Sequence, residues 1–234
     1  MTALRKKVKR EDVSFKSLNF MKIIFLGAPG SGKGTQSKKI AEKFSISHLS
    51  TGDILRDSIK QKTAVGIQAK QFMDEGHLVP DDLIVNIIKE RISAEDCSKG
   101  YILDGFPRTV AQADALKRMF DKQTQHLNKV IYLEIENEKV IERLTGRRVC
   151  SECGAEYHIY FKQPVKSGIC DLCQNKLIQR SDDNEEKIRN RLLQYDQQTS
   201  PLIKYYEEQK LLKRIPAEGE IQEITKKIID TLSL

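Results

Sequence analysis

The sequence predicts an α/β fold, with a five-stranded parallel sheet flanked by helices and smaller subdomains inserted between its elements. Short apolar runs alternate with stretches of helical period along the chain. The runs are continuously apolar rather than alternating, as in strands covered on both faces. Strand-then-helix order makes parallel crossovers the natural connection. At 234 residues and 39% hydrophobic, the chain is long enough for one sizeable core plus small insertions.

Strands are expected at Lys22–Leu26, Ser47–Ser50, Tyr101–Asp104, Val130–Glu134 and Leu211–Ile215. Helices are expected near residues 33–44, 52–61, 64–75, 81–93, 109–122, 137–145, 184–209 and 220–232. Residues 146–183 break this rhythm with Cys, Gly and short β-type runs such as Tyr157–Phe161, and read as an inserted small domain. Residues 51–79 hold two short helical stretches and read as a second, flap-like insertion. Residues 21–50, 80–145 and 184–234 remain as the core.

The first strand runs straight into Gly27-Ala28-Pro29-Gly30-Ser31-Gly32-Lys33-Gly34-Thr35, followed by a helical pattern. Glycines there let consecutive N–H groups point inward, and the helix N-terminus adds partial positive charge, so the loop suits polyphosphate. Lys33 supplies an ammonium for the β- and γ-phosphates. The usual hydroxyl after the lysine is displaced by one residue: Gly34 follows Lys33, and Thr35 carries the hydroxyl.

Cys150-x-x-Cys153 and Cys170-x-x-Cys173 are separated by sixteen residues. This spacing suits a closed tetrathiolate zinc site of the structural kind. Iron fits the same geometry, and a disulfide pairing is the remaining alternative. Cys97 reads as an inert, partly buried thiol.

The form G-x-P-G-x-G-K-G-T resembles the P-loop of the nucleoside monophosphate kinases, and within them the adenylate kinases. Further motifs extend the resemblance over most of residues 21–234. Ser50-Thr51-Gly52-Asp53-Ile54-Leu55-Arg56 is similar to the element whose Thr and Arg bind AMP, placing Thr51 and Arg56 there; Ser50 also reads as an N-cap. Gly76-His77-Leu78-Val79-Pro80 resembles the strip along the AMP base, with His77 where Lys is common. Asp104-Gly105-Phe106-Pro107-Arg108 is similar to the family's D-G-F-P-R, followed by Gln112 where the adenine is read. Its place at a strand C-terminus beside the glycine loop is where open parallel sheets bind ligands.

The resemblance implies MgATP as donor and AMP as acceptor, two ADP as products, and a role in adenine nucleotide balance and energy homeostasis. Gly30, Ser31, Gly32, Lys33, Gly34 and Thr35 would hold ATP, with Arg143, Arg147, Glu156, Tyr157 and Gly219 around it. Thr51, Arg56, His77, Leu78, Val79, Gly105, Phe106, Pro107, Arg108, Gln112, Arg180 and Arg191 would hold AMP. Asp104 would hold Mg²⁺ through water, with Asp53 as helper, and the four cysteines would carry zinc in a lid, as in many bacterial relatives.

Phosphoryl transfer asks a protein mainly to position and neutralise charge, work suited to the planar, permanently charged guanidinium. Lys33, Arg108, Arg143, Arg147, Arg180 and Arg191 are the catalytic candidates. Arg143 and Arg147 are expected four apart on one helical face at the start of the insertion, with Arg180 and Arg191 at its exit. Such hinges carry arginines onto phosphates as a lid closes and excludes water. Asp182 and Asp183 read equally as caps and ion-pair partners. No base is required, because the acceptor oxygen is already ionised, so His48, His77, His126 and His158 read as surface or packing residues.

Residues 1–20 hold six basic residues against Glu11 and Asp12, which is four of the net charge of +7. This tail reads as a disordered basic arm, a targeting piece or sequence upstream of a start at Met21. No stretch approaches the roughly 18 apolar residues of a membrane span, so a soluble protein is expected, and the paired cysteines point to a reducing cytoplasm. The resemblance implies a monomer without nucleic-acid or membrane partners. Alternatives are a kinase for another nucleoside monophosphate, a GTP-dependent AMP kinase, or, from the cysteines and basic tail, a zinc-ribbon nucleic-acid binder.

Overall fold

The computed structural model describes residues 20–233, and the expectations for residues 1–19 lie outside the described residues. Strand β1 (Met21–Gly27) is buried along its whole length. It pairs in parallel with β3 (Gly100–Asp104) on one side and β4 (Lys129–Glu134) on the other. With β2 (Ser47–Ser50) beyond β3, and β8 (Leu212–Pro216) beyond β4, the order is β2-β3-β1-β4-β8, parallel throughout. The five expected strands are thus all present, with ends shifted by no more than a residue or two.

Side chains alternate across β1, as strand geometry requires. Ile24 and Leu26 join Leu103, Val130 and Phe106 on one face, under α4 (Asp81–Ile92), α5 (Val110–Lys122) and α8 (Pro201–Glu208). Ile23 and Phe25 join Ile131 and Leu133 on the other, under α1 (Lys33–Phe44) and α9 (Ile221–Leu232). Ile23, Ile24 and Ile102 are fully buried, and truncating any of them to Ala would cost about 2–5 kcal/mol.

Two excursions leave this core. Helices α2 (Thr51–Lys60) and α3 (Ala64–Glu75) form the first, with Ser50 Oγ accepting from Asp53 N–H and Thr63 Oγ1 from Gly66 N–H as N-caps. They pack so closely that a Cβ on Gly66 would lie 2.1 Å from the Ser58 carbonyl oxygen. The second follows α6 (Asn137–Thr145) and is a three-stranded antiparallel sheet, β6 (Glu156–His158), β5 (Arg147–Cys150) and β7 (Leu177–Ile178) in that order.

Two expectations change, and one turn is new. The helix expected over 184–209 is α7 (Glu185–Gln194), a π-helical turn at Tyr195–Thr199, and then α8. Pro201 has no N–H to give and crowds the preceding turn, and the ladder widens ahead of it, with Ser200 N–H reaching the Tyr195 carbonyl at 2.9 Å. Arg143 and Arg147 do not share a helical face, because α6 stops at Thr145 and Arg147 opens β5. A 3₁₀ turn at Glu95–Cys97 was not foreseen.

Candidate active site

The glycine loop leaves β1 and turns into α1 with Gly30 at φ +75° and Gly32 at +93°, backbone that residues with a Cβ rarely adopt. At Gly30 a Cβ would also meet Leu144 Cγ at 2.8 Å. Lys33 curls over the loop, its Nζ donating to the carbonyls of Gly27 (2.7 Å) and Ala28 (2.8 Å). Burial draws its pKa from 10.5 down to about 8, with Asp104 opposing and Arg108 adding to the fall.

Asp104 ends β3, paired in register with Phe25 of β1 and Ser50 of β2. Its Oδ2 lies 3.5 Å from where a Cβ on Gly34 would stand, directly over the first turn of α1. That oxygen accepts from Ser37 Oγ at 3.4 Å and lies 3.3 Å from His48 Nε2, which is itself 2.8 Å from Ser37 Oγ. His48, expected at the surface or in packing, lines neither cavity and packs behind Asp104, where it supports the carboxylate. The signal was available: His48 is two residues before Ser50, hence on the same side of β2.

Magnesium fits Asp104 by donor chemistry, because its Oδ1 has no protein partner among the described residues and it is a hard oxygen at the sheet's C-terminal edge. Asp53 fits less well. Its Oδ1 takes the Arg56 guanidinium at 2.5 Å, and although burial opposes it, that partner holds the carboxyl below the usual carboxylate range.

Glycine loop, flap and small sheet enclose one cavity of about 880 Å³. Arg56, Arg108, Arg143, Arg147, Arg180 and Arg191 all line it. Arg143 is held by the Ala217 carbonyl (2.8 Å), Arg108 by the Gly105 carbonyl (2.9 Å) and Arg180 by Glu156 (3.1 Å). Asp183, fully buried, receives Arg147, and Arg191 bridges Asp182 and Asp183. Asp183 thus acts as an ion-pair partner, while the N-cap of α7 is Asn184. Burial, then mutual repulsion, pulls Arg180 and Arg108 down to about 10. Arg147 goes the other way: burial opposes it, but Asp183 holds its pKa up.

Gly30 to Thr35, Asp53, Pro107, Glu156, Tyr157 and Gly219 also line this cavity. The Tyr157 hydroxyl, however, points toward the cysteines, 3.5 Å from Cys170 Sγ and accepting from Asp171 N–H at 2.8 Å. His158 and Phe161 are wall residues that sequence reasoning missed. His158 shares a face of β6 with Glu156, the period-two signal that could have found it. Its Nδ1 accepts from Tyr160 and Phe161 N–H, which puts the ring proton on Nε2; burial lowers its pKa, and the ring stacks 4.4 Å from Phe161.

A second cavity, of about 80 Å³, opens beside the first, lined by Thr51, Arg56, His77, Leu78, Val79, Gly105, Arg108, Gln112 and Arg191. The residues expected around AMP are brought together here, with Pro107 and Arg180 on the larger cavity. Phe106 is an exception: it is fully buried in the core and lines neither. His77 pairs with Glu75 at 3.2 Å.

The four paired cysteines are free thiols whose Sγ atoms all lie within 4.8 Å of one another. Cys150–Cys173 and Cys153–Cys170 separations of 3.3 and 3.5 Å are too long for a disulfide. They approach the roughly 3.8 Å edge of a zinc–thiolate tetrahedron with bonds of about 2.3 Å. Two matching knuckles present them, closed by Gly154 N–H to the Cys150 carbonyl (3.2 Å) and Gln174 N–H to the Cys170 carbonyl (2.9 Å). The second knuckle turns on Gln174 at φ +60°. The module has only a small apolar cluster around Cys150, Tyr157 and Cys170. Cys97 is buried as expected, 3.3 Å from Arg91 Nη1.

A phosphate-cradling loop on a parallel sheet, facing a wall of guanidiniums, defines a P-loop phosphotransferase. The comparisons narrow the class, since the adenylate kinase family model matches residues 25–211. A curated adenylate kinase of Caldicellulosiruptor bescii is 47% identical over 92% of this chain and 100% of its own. One of Geotalea daltonii is 50% identical over 91% of this chain and 99% of its own, and one of Clostridium botulinum 50% over 87% and 94%. The chain belongs to the adenylate kinase family and is a nucleoside monophosphate kinase.

Proposed function

We propose that the chain moves the terminal phosphoryl group of ATP reversibly onto AMP, giving two ADP, and so serves adenine nucleotide balance. One observation carries the reading: six arginines and Lys33 from the core, flap and small sheet line a single cavity that adjoins the smaller one lined by Thr51, Val79 and Gln112. On this reading residues 21–50, 80–145 and 184–234 are the core, 51–79 the AMP-binding subdomain and 146–183 the lid.

The glycine loop and Lys33 hold the donor phosphates through N–H groups and one ammonium. Arg143 and Arg147 reach the donor from the lid side, Arg56 and Arg108 reach the acceptor, and Arg180 and Arg191 span the gap. Their mutual repulsion in the free protein is relieved by the phosphates, so the stabilisation is greatest where negative charge accumulates during transfer. Magnesium, held through water at Asp104, would neutralise phosphate charge. The lid excludes water, which keeps the phosphoryl group for AMP. No side chain needs to act as a base.

Zinc at Cys150, Cys153, Cys170 and Cys173 would stabilise a module whose own core is small. Free paired thiols suit a reducing cytoplasm. No described helix is long and apolar enough to cross a membrane. One chain supplies every residue the reading uses, as a monomer requires, and the cysteine module faces the cavity through Glu156, which favours a lid over a nucleic-acid ribbon.

The test is a coupled assay with ATP, AMP and Mg²⁺, repeated with CMP, UMP and GMP as acceptors and GTP as donor, plus elemental analysis of the same sample. AMP and ATP should be preferred and one zinc found per chain. Preference for a pyrimidine acceptor would sink the reading.

A further inference from the structure

Gln112 is almost wholly buried at the first turn of α5, and its amide is gripped from two sides. Its Nε2 donates to Asp81 Oδ1 at 2.7 Å, and its Oε1 accepts from the Arg108 backbone N–H at 2.7 Å. An ionised carboxylate only accepts and a backbone N–H only donates. Turning the amide over would set oxygen against oxygen at Asp81 and N–H against N–H at Arg108. Its orientation is therefore fixed by its two partners.

Asp81 is itself anchored. Its Oδ2 accepts from Thr109 Oγ1 at 2.8 Å, and Thr109 Oγ1 in turn caps α5 by accepting from Gln112 N–H at 3.1 Å. Asp81 opens α4, where the helix dipole favours its charge. It follows Val79 and Pro80, so it ties the end of the flap to the start of α5.

With one N–H and one carbonyl lone pair used, the amide keeps one donor and one acceptor for whatever fills the smaller cavity. Adenine offers a donor at N6 beside an acceptor at N1. Hypoxanthine and guanine offer the reverse, an acceptor at O6 beside a donor at N1. A freely turning amide could match either set; a fixed one matches only one.

We propose that Asp81 is a specificity-determining positioning residue, which locks the Gln112 amide so that the acceptor site takes adenine and rejects 6-oxopurine monophosphates. This rests on the acceptor assignment given above. Asp81 touches no substrate and acts through Gln112.

The test compares kcat/KM for AMP, IMP and GMP in the wild type, Asp81→Ala, Gln112→Ala and the double variant, with melting temperatures for each. The AMP-to-IMP ratio should fall about five- to tenfold in Asp81→Ala, mainly through a higher KM for AMP, as expected for loosening one or two net hydrogen bonds. Asp81→Asn, which keeps an acceptor oxygen, should recover most of the ratio. In the Gln112→Ala background, removing Asp81 should not change the ratio further. A folded Asp81→Ala protein whose ratio stays within twofold of wild type overturns the proposal, as does an equal drop with Gln112 absent. A wild type inactive on AMP overturns the acceptor assignment as well, which separates the two failures.

Discussion

Arg147 and Asp183 meet through two parallel hydrogen bonds, Nε to Oδ2 at 2.8 Å and Nη2 to Oδ1 at 2.6 Å, with the carboxylate wholly buried. The pair joins the first strand of the small sheet to the segment leading into α7, so it ties together the two ends of that insertion. Bidentate geometry fixes the direction of the guanidinium as well as its distance.

Asp183→Asn should therefore destabilise the fold by about 3 kcal/mol, because it leaves Arg147 buried and short of its counter-charge, with an amide N–H set against one of the two guanidinium donors that the carboxylate accepts. Chemical denaturation measures the first effect. Activity should fall too, chiefly in kcat, since Arg147 and Arg191 lose their aim.

Lys33→Met should cut turnover by orders of magnitude while the protein stays folded. Its thermal stability at neutral pH should equal or exceed that of the wild type. The sign follows from linkage: the folded pKa of about 8 lies below 10.5, so the unfolded chain binds more protons between those values and wild-type stability rises with pH across that window. A melting temperature well below wild type would contradict the assignment of that burial.

The same group predicts an alkaline limb. In the free protein Lys33 loses its proton near pH 8, so kcat/KM for ATP should decline above that value. The kcat of the saturated enzyme should hold to higher pH, because bound phosphates favour the ammonium. Steady-state pH profiles separate the two, and coincident limbs would count against Lys33.

Cys153→Ser, or zinc removal by a strong chelator, should lower the melting temperature by roughly 5–10 °C for a loss of about 2–3 kcal/mol, with a smaller effect on kcat per folded molecule. Metal-free wild type of unchanged stability would refute the structural role.

Gly66→Ala should cost about 1–3 kcal/mol and raise KM for AMP more than KM for ATP. The added methyl would strike the Ser58 carbonyl and push α3 off α2. Equal changes in both constants would show that the flap does not serve the acceptor alone.

The sequence by itself determined the five strands, the loop and the cysteine cluster, because each depends on local pattern. Continuous apolar runs such as Ile23–Leu26 declare buried strands, and the spacings of Gly30, Gly32 and Lys33 and of the two cysteine pairs encode their geometry within a few residues. The break at Pro201 was also local in cause, but the π turn that absorbs it needed the packed helix to be seen. Only the tertiary structure decided that His48 reaches Asp104, that Asp183 is shared by Arg147 and Arg191, and that Asp81 grips Gln112. These partners are 56, 36, 8 and 31 positions apart, and their meeting depends on strand order and on where helices cross the sheet. Periodicity specifies which face a side chain occupies, but its partner across that face is set by the packing of the whole chain.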